Sequence, residues 1–196
     1  MTMNRICIAA VAALIVFASQ HCASAQGKLD SDDIVDSLRG LETQAQINAP
    51  ALYQRALARI KAEPGMSAVN RPSVAEELNK LPQLTVEIQF NLDSDIIRPV
   101  SYKTLGRIAD ALYHPYLLDY KFLVVGHTDA SGKREYNLKL SQRRADAVRE
   151  ALVTTFRISP ARVSAVGLGE EQLQDAAQPT AAVNRRVQLL ATGKVR

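Results

Sequence analysis

The chain has 196 residues, 24 of them basic and 20 acidic, with a formal net charge of +4 and two cysteines. Both cysteines, Cys7 and Cys22, fall in a segment that reads as a removable leader, so the mature chain can form no disulfide, thiolate nucleophile or cysteine metal site. The mild positive charge, without a dense basic stripe interleaved with aromatics, argues against nucleic acid as a partner; it suits approach to an anionic polymer as well as it suits ordinary solubility.

In chain order, Arg5 gives a positive start and Ile6 to Ala18 an apolar run. That run is shorter than the roughly 20 residues a membrane span needs. Ala23-Ser24-Ala25 then supplies small residues at a cleavage site. Residues 1–25 are therefore expected to be a signal peptide, with the mature chain beginning at Gln26. An uncleaved anchor, or lipid attachment at Cys22, is the alternative; Ser19-Gln20-His21 lacks the apolar and small pattern of a lipid-attachment site. Cleavage also removes His21 and leaves His114 and His127.

Residues 26–82 read as a helical spacer or accessory region. Asp30 or Ser31 can cap a short helix with Ile34, Val35, Leu38 and Leu41 on one face. A second helix, Ala51 to Lys61, follows Pro50. After a turn-rich stretch from Pro64 to Pro72, Ser73 and Glu76 have the spacing of a capping box for a third short helix. No internal repeat and no site chemistry fall in this part.

From residue 83 to 196 strands alternate with helices, which predicts an α+β domain, a sheet with helices packed on it. Val86, Ile88 and Phe90 alternate with polar residues in a strand with one wet face. Pro99 opens a helix with Tyr102, Leu105, Ile108, Ala109 and Leu112 on one side, and Pro115 closes it. Phe122 to Val125 is continuously apolar, as in a strand covered on both faces. A long helix is expected from Glu135 to Phe156, then strands at Arg162 to Val166 and Arg186 to Ala191. The strand order is not readable from the pattern.

The long helix carries the informative residue. Asn137, Leu140, Ala147, Val148 and Ala151 cluster on one side at 100° per residue, with Arg144 near the middle of that set. Arg143 lies toward the polar side. An inward arginine needs an anion or several acceptors. Helical side chains lean toward the helix start, so Arg144 is expected to reach toward the loop that contains Asp129. Two readings stand at this point. Asp129 and Arg144 form an internal ion pair that fixes the loop, or both line a cleft and share a zwitterionic ligand, Asp129 taking an ammonium and Arg144 a carboxylate.

The run GHTDASGKREYNLKLSQRRADAVREAL from Gly126, with VSAVGLGEEQL from Val163, NRRVQL from Asn184 and the opening TVEIQFNLDSDII, resembles the OmpA-like domain family over roughly residues 83 to 192. The combination G-H-T-D-x-x-G, N-x-x-L-S-x-x-R-A and N-R-R-V in that order is highly specific. The resemblance implies a βαβαβ-type sandwich with a mixed four-stranded sheet, preceded here by short helices. It also implies binding of the diaminopimelate of the peptidoglycan stem peptide, without cleavage or cofactor. By the same resemblance Asp129 of the segment Gly126-His127-Thr128-Asp129 contacts the ammonium and Arg144 a carboxylate. Asn137 and Leu140 then stand beside the ligand, and the loop beginning at Asn91 forms another wall. Asn184, Arg185 and Arg186 are expected to brace the last strand.

No run of alternating strands with aromatic girdles precedes the domain. The family's usual outer-membrane tether is therefore expected to be absent or supplied by an outer-membrane or envelope partner, for which residues 26–82 offer a contact. Two rival functions differ in chemistry. One is a protein-interaction module with a vestigial cleft. The other is a cell-wall hydrolase using His127 and Asp129, which would need a further ligand or nucleophile that the sequence does not offer.

Overall fold

A computed structural model describes residues 30–39 and 47–195. The leader expected over residues 1–25, and Leu41, lie outside the described residues. The elements run α1 (Ser31–Leu38), α2 (Ala49–Ala62), β1 (Gln83–Val86), α3 (Tyr102–Leu112), β2 (Tyr120–His127), α4 (Arg134–Glu150), β3 (Val163–Gly169) and β4 (Val187–Lys194). The sheet order is β1-β4-β2-β3. β2 and β3 are parallel, and β4 is antiparallel to both β1 and β2. This is the mixed four-stranded α+β sheet expected, with the last strand inserted between the first and the second.

The upstream helices form for local reasons and are buried for tertiary ones. Asp30 and Asp33 make a reciprocal capping box at the start of α1, whose Ile34, Val35 and Leu38 are buried. The Asn48 side chain accepts the Ala51 N–H at the start of α2, which has Pro50 in its first turn. Leu52, Ala56 and Ile60, each four residues apart, form its buried stripe. The expected capping box at Ser73 does not form. The Ser73 hydroxyl instead accepts the nearer Ala75 N–H at 3.3 Å, a local competitor of helix capping, and only a short 3-10 stretch, Glu76–Lys80, follows.

The sheet is covered on both faces. Leu84, Val86, Phe122, Val124 and Leu189 share a core with α1, α3 and the C-terminal half of α4. Leu123, Val125, Val166 and Leu190 share the other with Leu52, Ala56 and Ile60 of α2 and with Leu78 and Leu81. The apolar run Phe122 to Val125 is buried on both sides for this reason. Along the first strand, burial alternates through Ile88, but ladder pairing stops at Val86; one further bridge, Phe90 to Ile97, closes the next loop. On α3 the expected stripe holds except at Tyr102, which is exposed while Ser101 turns inward, because a 3-10 turn over Pro99–Ser101 precedes the helix and changes its phase.

Helix α4 lies directly on strand backbone. A side chain at Gly126 would put its Cβ 2.4 Å from the Ser141 carbonyl oxygen, and one at Gly167 would put it 2.1 Å from the Gln142 nitrogen. Only glycine permits that approach. The Gln142 side chain accepts the Gly167 N–H at 2.7 Å, and the Ser141 hydroxyl accepts the Gly169 N–H at 2.8 Å. This contact line centres the buried face on Leu138, Ser141, Ala145 and Val148. Arg144 therefore sits at the border of the buried face, half-buried, rather than at its middle, while Arg143 is exposed. The expected helix to Phe156 ends at Glu150 in α-geometry and continues as one wider π-turn, Ala151–Thr155.

Candidate functional site

The parallel run of β1, β2 and β3 brings their C-terminal ends together, and β4 begins at the same edge. Asp129 follows β2 in a tight turn. Its carboxylate accepts the Ser131 N–H at 3.0 Å and also bonds the Ser131 hydroxyl. Its other oxygen pairs with the Arg185 guanidinium. Burial disfavours the charged carboxylate, but the bonds from Ser131 and Arg185 outweigh that cost and hold its pKa below the ordinary value. Asp129 is thus a fixed anion.

The expected proximity of Asp129 and Arg144 takes a different form from an ion pair. Asp129 is paired with Arg185. The register explains why: Val187 of β4 stands opposite Gly126 of β2, so the residues just before β4 lie beside those just after β2. Arg185 was expected to brace the strand. No spacing signal could have linked it to Asp129, because the link depends on the order of strands.

Arg144 turns the other way, to the loop after β1. Its Nε donates to the Ser94 carbonyl at 2.9 Å, and its guanidinium lies 5.0 Å from the centre of the Phe90 ring. Among the described residues no carboxylate is within ion-pair distance of it. Burial, with Arg143 and Arg185 nearby, makes its charge less favourable, partly offset by Asp93 and Tyr136. Arg162 shows what a structurally satisfied arginine looks like in this fold. Its donors reach the Tyr120, Leu112 and Leu117 carbonyls at 2.6–3.1 Å. Arg144 commits one donor of its five and faces a cavity of about 30 Å³ lined by Phe90, His127, Arg185 and Arg186 among others.

The other expected site residues divide. Thr128 is buried, its N–H bonded to the Gly169 carbonyl at 3.0 Å and its hydroxyl without a protein partner. Asn91 is exposed at the start of the loop that Arg144 touches. Leu140 is buried. Asn137 spends its amide on protein acceptors: the carbonyls of Asp129 and Ser131, at 3.2 and 3.1 Å, and the Glu170 carboxylate at 2.6 Å. It holds the Asp129 turn from below. Sequence reasoning also missed Tyr136, whose hydroxyl bonds Asp93 and ties the loop after β1 to α4. His127 is buried with both ring nitrogens outside hydrogen-bond geometry. Burial, and next Arg186, push its pKa well below 6.5, a weak pull from Gln188 notwithstanding.

Behind Asn137 lies a second charged cluster. Glu171, fully buried, bonds Arg59, Arg71 and Arg134 at 2.8–3.0 Å. Glu170 bonds Arg71 at 2.8 Å. Arg59 comes from α2 and Arg71 from the turn-rich stretch, so residues upstream of the sheet support the turn that carries Asp129.

Comparison with known proteins agrees with this architecture. The family model "OmpA family" matches residues 89–186. The chain is 37% identical over 108 residues to outer membrane porin F of Pseudomonas fluorescens, spanning 54% of this chain and 32% of that one. It is 38% identical over 86 residues to the peptidoglycan-associated lipoprotein of Brucella melitensis, spanning 43% of this chain and 49% of that one. The chain thus covers between about a third and a half of the length of these relatives. The peptidoglycan-associated lipoprotein structure from Burkholderia pseudomallei is 36% identical with a TM-score of 0.44, covering 53% of this chain and 87% of that one. A MotB-like protein structure from Desulfovibrio vulgaris shares the fold at 19% identity and a TM-score of 0.50, over 84% of this chain and 99% of that one. The family match runs from just past the first strand through Arg186, across every loop that carries the site, and the chain belongs to the OmpA family.

Proposed function

We propose that this protein binds peptidoglycan in the bacterial envelope and does not cleave it. The observation that carries this reading is the state of Arg144: a half-buried guanidinium on an aromatic ring, with one donor used and no carboxylate among the described residues. Such a group is costly unless an anion arrives. Asp129, a fixed anion on the neighbouring loop, supplies the complementary charge. A ligand with an ammonium and a carboxylate on one carbon fits both, and the free end of diaminopimelate in the stem peptide has that chemistry. Asp129 takes the ammonium and Arg144 grips the carboxylate. Thr128 and the loop at Asn91 form the walls, and Asn137 and Leu140 support the floor. The names of the relatives, porins and peptidoglycan-associated lipoproteins, point to the same compartment. Residues 1–25 would direct export and be removed in the process, and the outward faces of α1 and α2 are where an outer-membrane or envelope partner would meet residues 26–82.

Sedimentation with purified sacculi tests this. Wild-type protein is expected to pellet with sacculi, and Asp129→Ala and Arg144→Ala are each expected to leave most of the protein in the supernatant while far-UV circular dichroism stays unchanged. Wild-type retention by both folded variants would show that the site is elsewhere. Labelled sacculi are expected to release no muropeptide; chelator-sensitive or His127-dependent release would establish a hydrolase instead.

A further inference from the structure

The proposed clamp leaves one charge unaccounted for. Asp129 already holds the Arg185 guanidinium. A ligand ammonium that takes Asp129 must displace it or share it, and Arg185 then loses the only carboxylate bonded to it among the described residues. Two cations on this edge, Arg144 and Arg185, would then face one ligand carboxylate. Arg186, directly behind, adds a third. It is 8% exposed, its donors reach only the Asn184 and Gln172 carbonyls and the Gln188 side chain, and burial pushes its pKa down to about 10. A ligand carrying one ammonium and one carboxylate leaves this end of the sheet short of negative charge.

The fold has room for more. Arg185 and Arg186 line the small cavity beside Arg144, and they also line a second one of about 350 Å³ on their other side. Thr85, Val86, Glu87, Gln174, Ala182 and Val183 complete its wall. Its size is within the range of small-ligand sites. Arg185 is half-exposed, so it can turn from Asp129 into this space without leaving solvent. Glu87 is exposed, which screens its repulsion of an anion held at the arginine end.

We infer that the 350 Å³ cavity is a second carboxylate subsite, in which Arg185, released from Asp129, binds another carboxylate of the same ligand. The inference rests on the proposed clamp at Asp129 and Arg144. It names the preferred ligand class: a terminal diaminopimelate residue that presents one ammonium and two free carboxylates, as in a stem peptide that ends on it. When further residues follow, that carboxylate is an amide and carries no charge.

Titration calorimetry of the full-length protein with two soluble peptides tests this. One is a stem tripeptide ending on diaminopimelate as the free acid. The other is its terminal carboxamide, which keeps the side-chain ammonium and carboxylate and differs by one charge. The acid is expected to bind roughly fivefold more tightly or better, as one added guanidinium–carboxylate contact allows. Arg185→Gln is expected to bring the ratio to about one, and Asp129→Ala to remove binding of both. Wild-type affinities within twofold of each other, or a preference that survives Arg185→Gln, would overturn the subsite; loss of both ligands in Asp129→Ala would still uphold the clamp. If neither peptide binds the wild type, clamp and subsite fall together.

Discussion

Two groups of arginines stand at the same end of the sheet and differ in how their charge is met. Arg59, Arg71 and Arg134 close on Glu170 and Glu171, whose side chains are almost wholly buried. Of Arg144, Arg185 and Arg186, only Arg185 meets a carboxylate among the described residues, that of Asp129. In the first cluster every carboxylate oxygen is bonded and the guanidinium side chains are largely buried. It fixes α2 and the turn-rich stretch to the loop after β3, and through Asn137 it fixes the Asp129 turn. The second is incomplete and partly open to solvent. The difference teaches that an arginine's role here is legible in its unused donors, more than in its burial. Arg71 meets two carboxylates and Arg162 three carbonyls, whereas Arg144 is half-buried with one donor used.

Variants in each group can break or sharpen this contrast. Glu171→Ala leaves the largely buried Arg59 and Arg134 without a carboxylate and Arg71 with Glu170 alone, and is expected to lower the unfolding free energy by about 3–5 kcal/mol, read by urea denaturation. A loss below about 1 kcal/mol would mean that the cluster does not hold the upstream helices. Asp129→Ala and Arg144→Ala are expected to do the reverse: at least about a tenfold loss of sacculus affinity, equivalent to about 1.4 kcal/mol, with a smaller change in stability. A denaturation midpoint that falls as far as that of Glu171→Ala would erase the distinction between the two groups.

The pH response separates Asp129 from the buried His127 nearby. His127 has a lowered folded pKa, so the unfolded chain binds its proton first. The neutral ring's stability is intact above the unfolded value of 6.5 and is lost as pH falls below it. The slope is expected to approach about 1.4 kcal/mol per pH unit at most, and His127→Gln should flatten it between pH 6.5 and 5. Asp129 also has a lowered folded pKa, so its contribution is present above the unfolded carboxylate value and is lost only as pH falls through the folded one. Sacculus binding is accordingly expected to persist to pH 5; binding that disappears near pH 6 would point to a different titrating group. The smallest effect is expected from Tyr136→Phe, which removes an exposed bond to Asp93. Stability should hardly change and binding should fall by a fewfold at most, through loosening of the loop that Arg144 touches.

Much of the fold was legible because it follows from local periodicity and punctuation. The helix expected after Pro50, the buried run Phe122 to Val125, and the Asp30 cap all appear as the pattern implies. The capping box at Ser73 failed because a closer backbone donor was available. The face of α4 rotated because Gly126 and Gly167 let helix backbone rest on strand backbone, a contact that counting apolar side chains cannot register. Asn137, expected beside the ligand, has its amide committed to the Asp129 turn and Glu170.

The sequence by itself determined that Arg144 differs from Arg143, that Asp129 ends a buried strand, and that the motif G-H-T-D with N-R-R-V belongs to one family. Those statements need only neighbours in the chain and the geometry of a helix or strand. Tertiary structure alone decided which cation meets Asp129. The insertion of β4 beside β2 brings Arg185 to that carboxylate across 56 residues of chain, while Arg144 is left on Phe90 with donors to spare. Pairing of charges far apart in sequence is set by strand order, and strand order is set by which faces can be buried together.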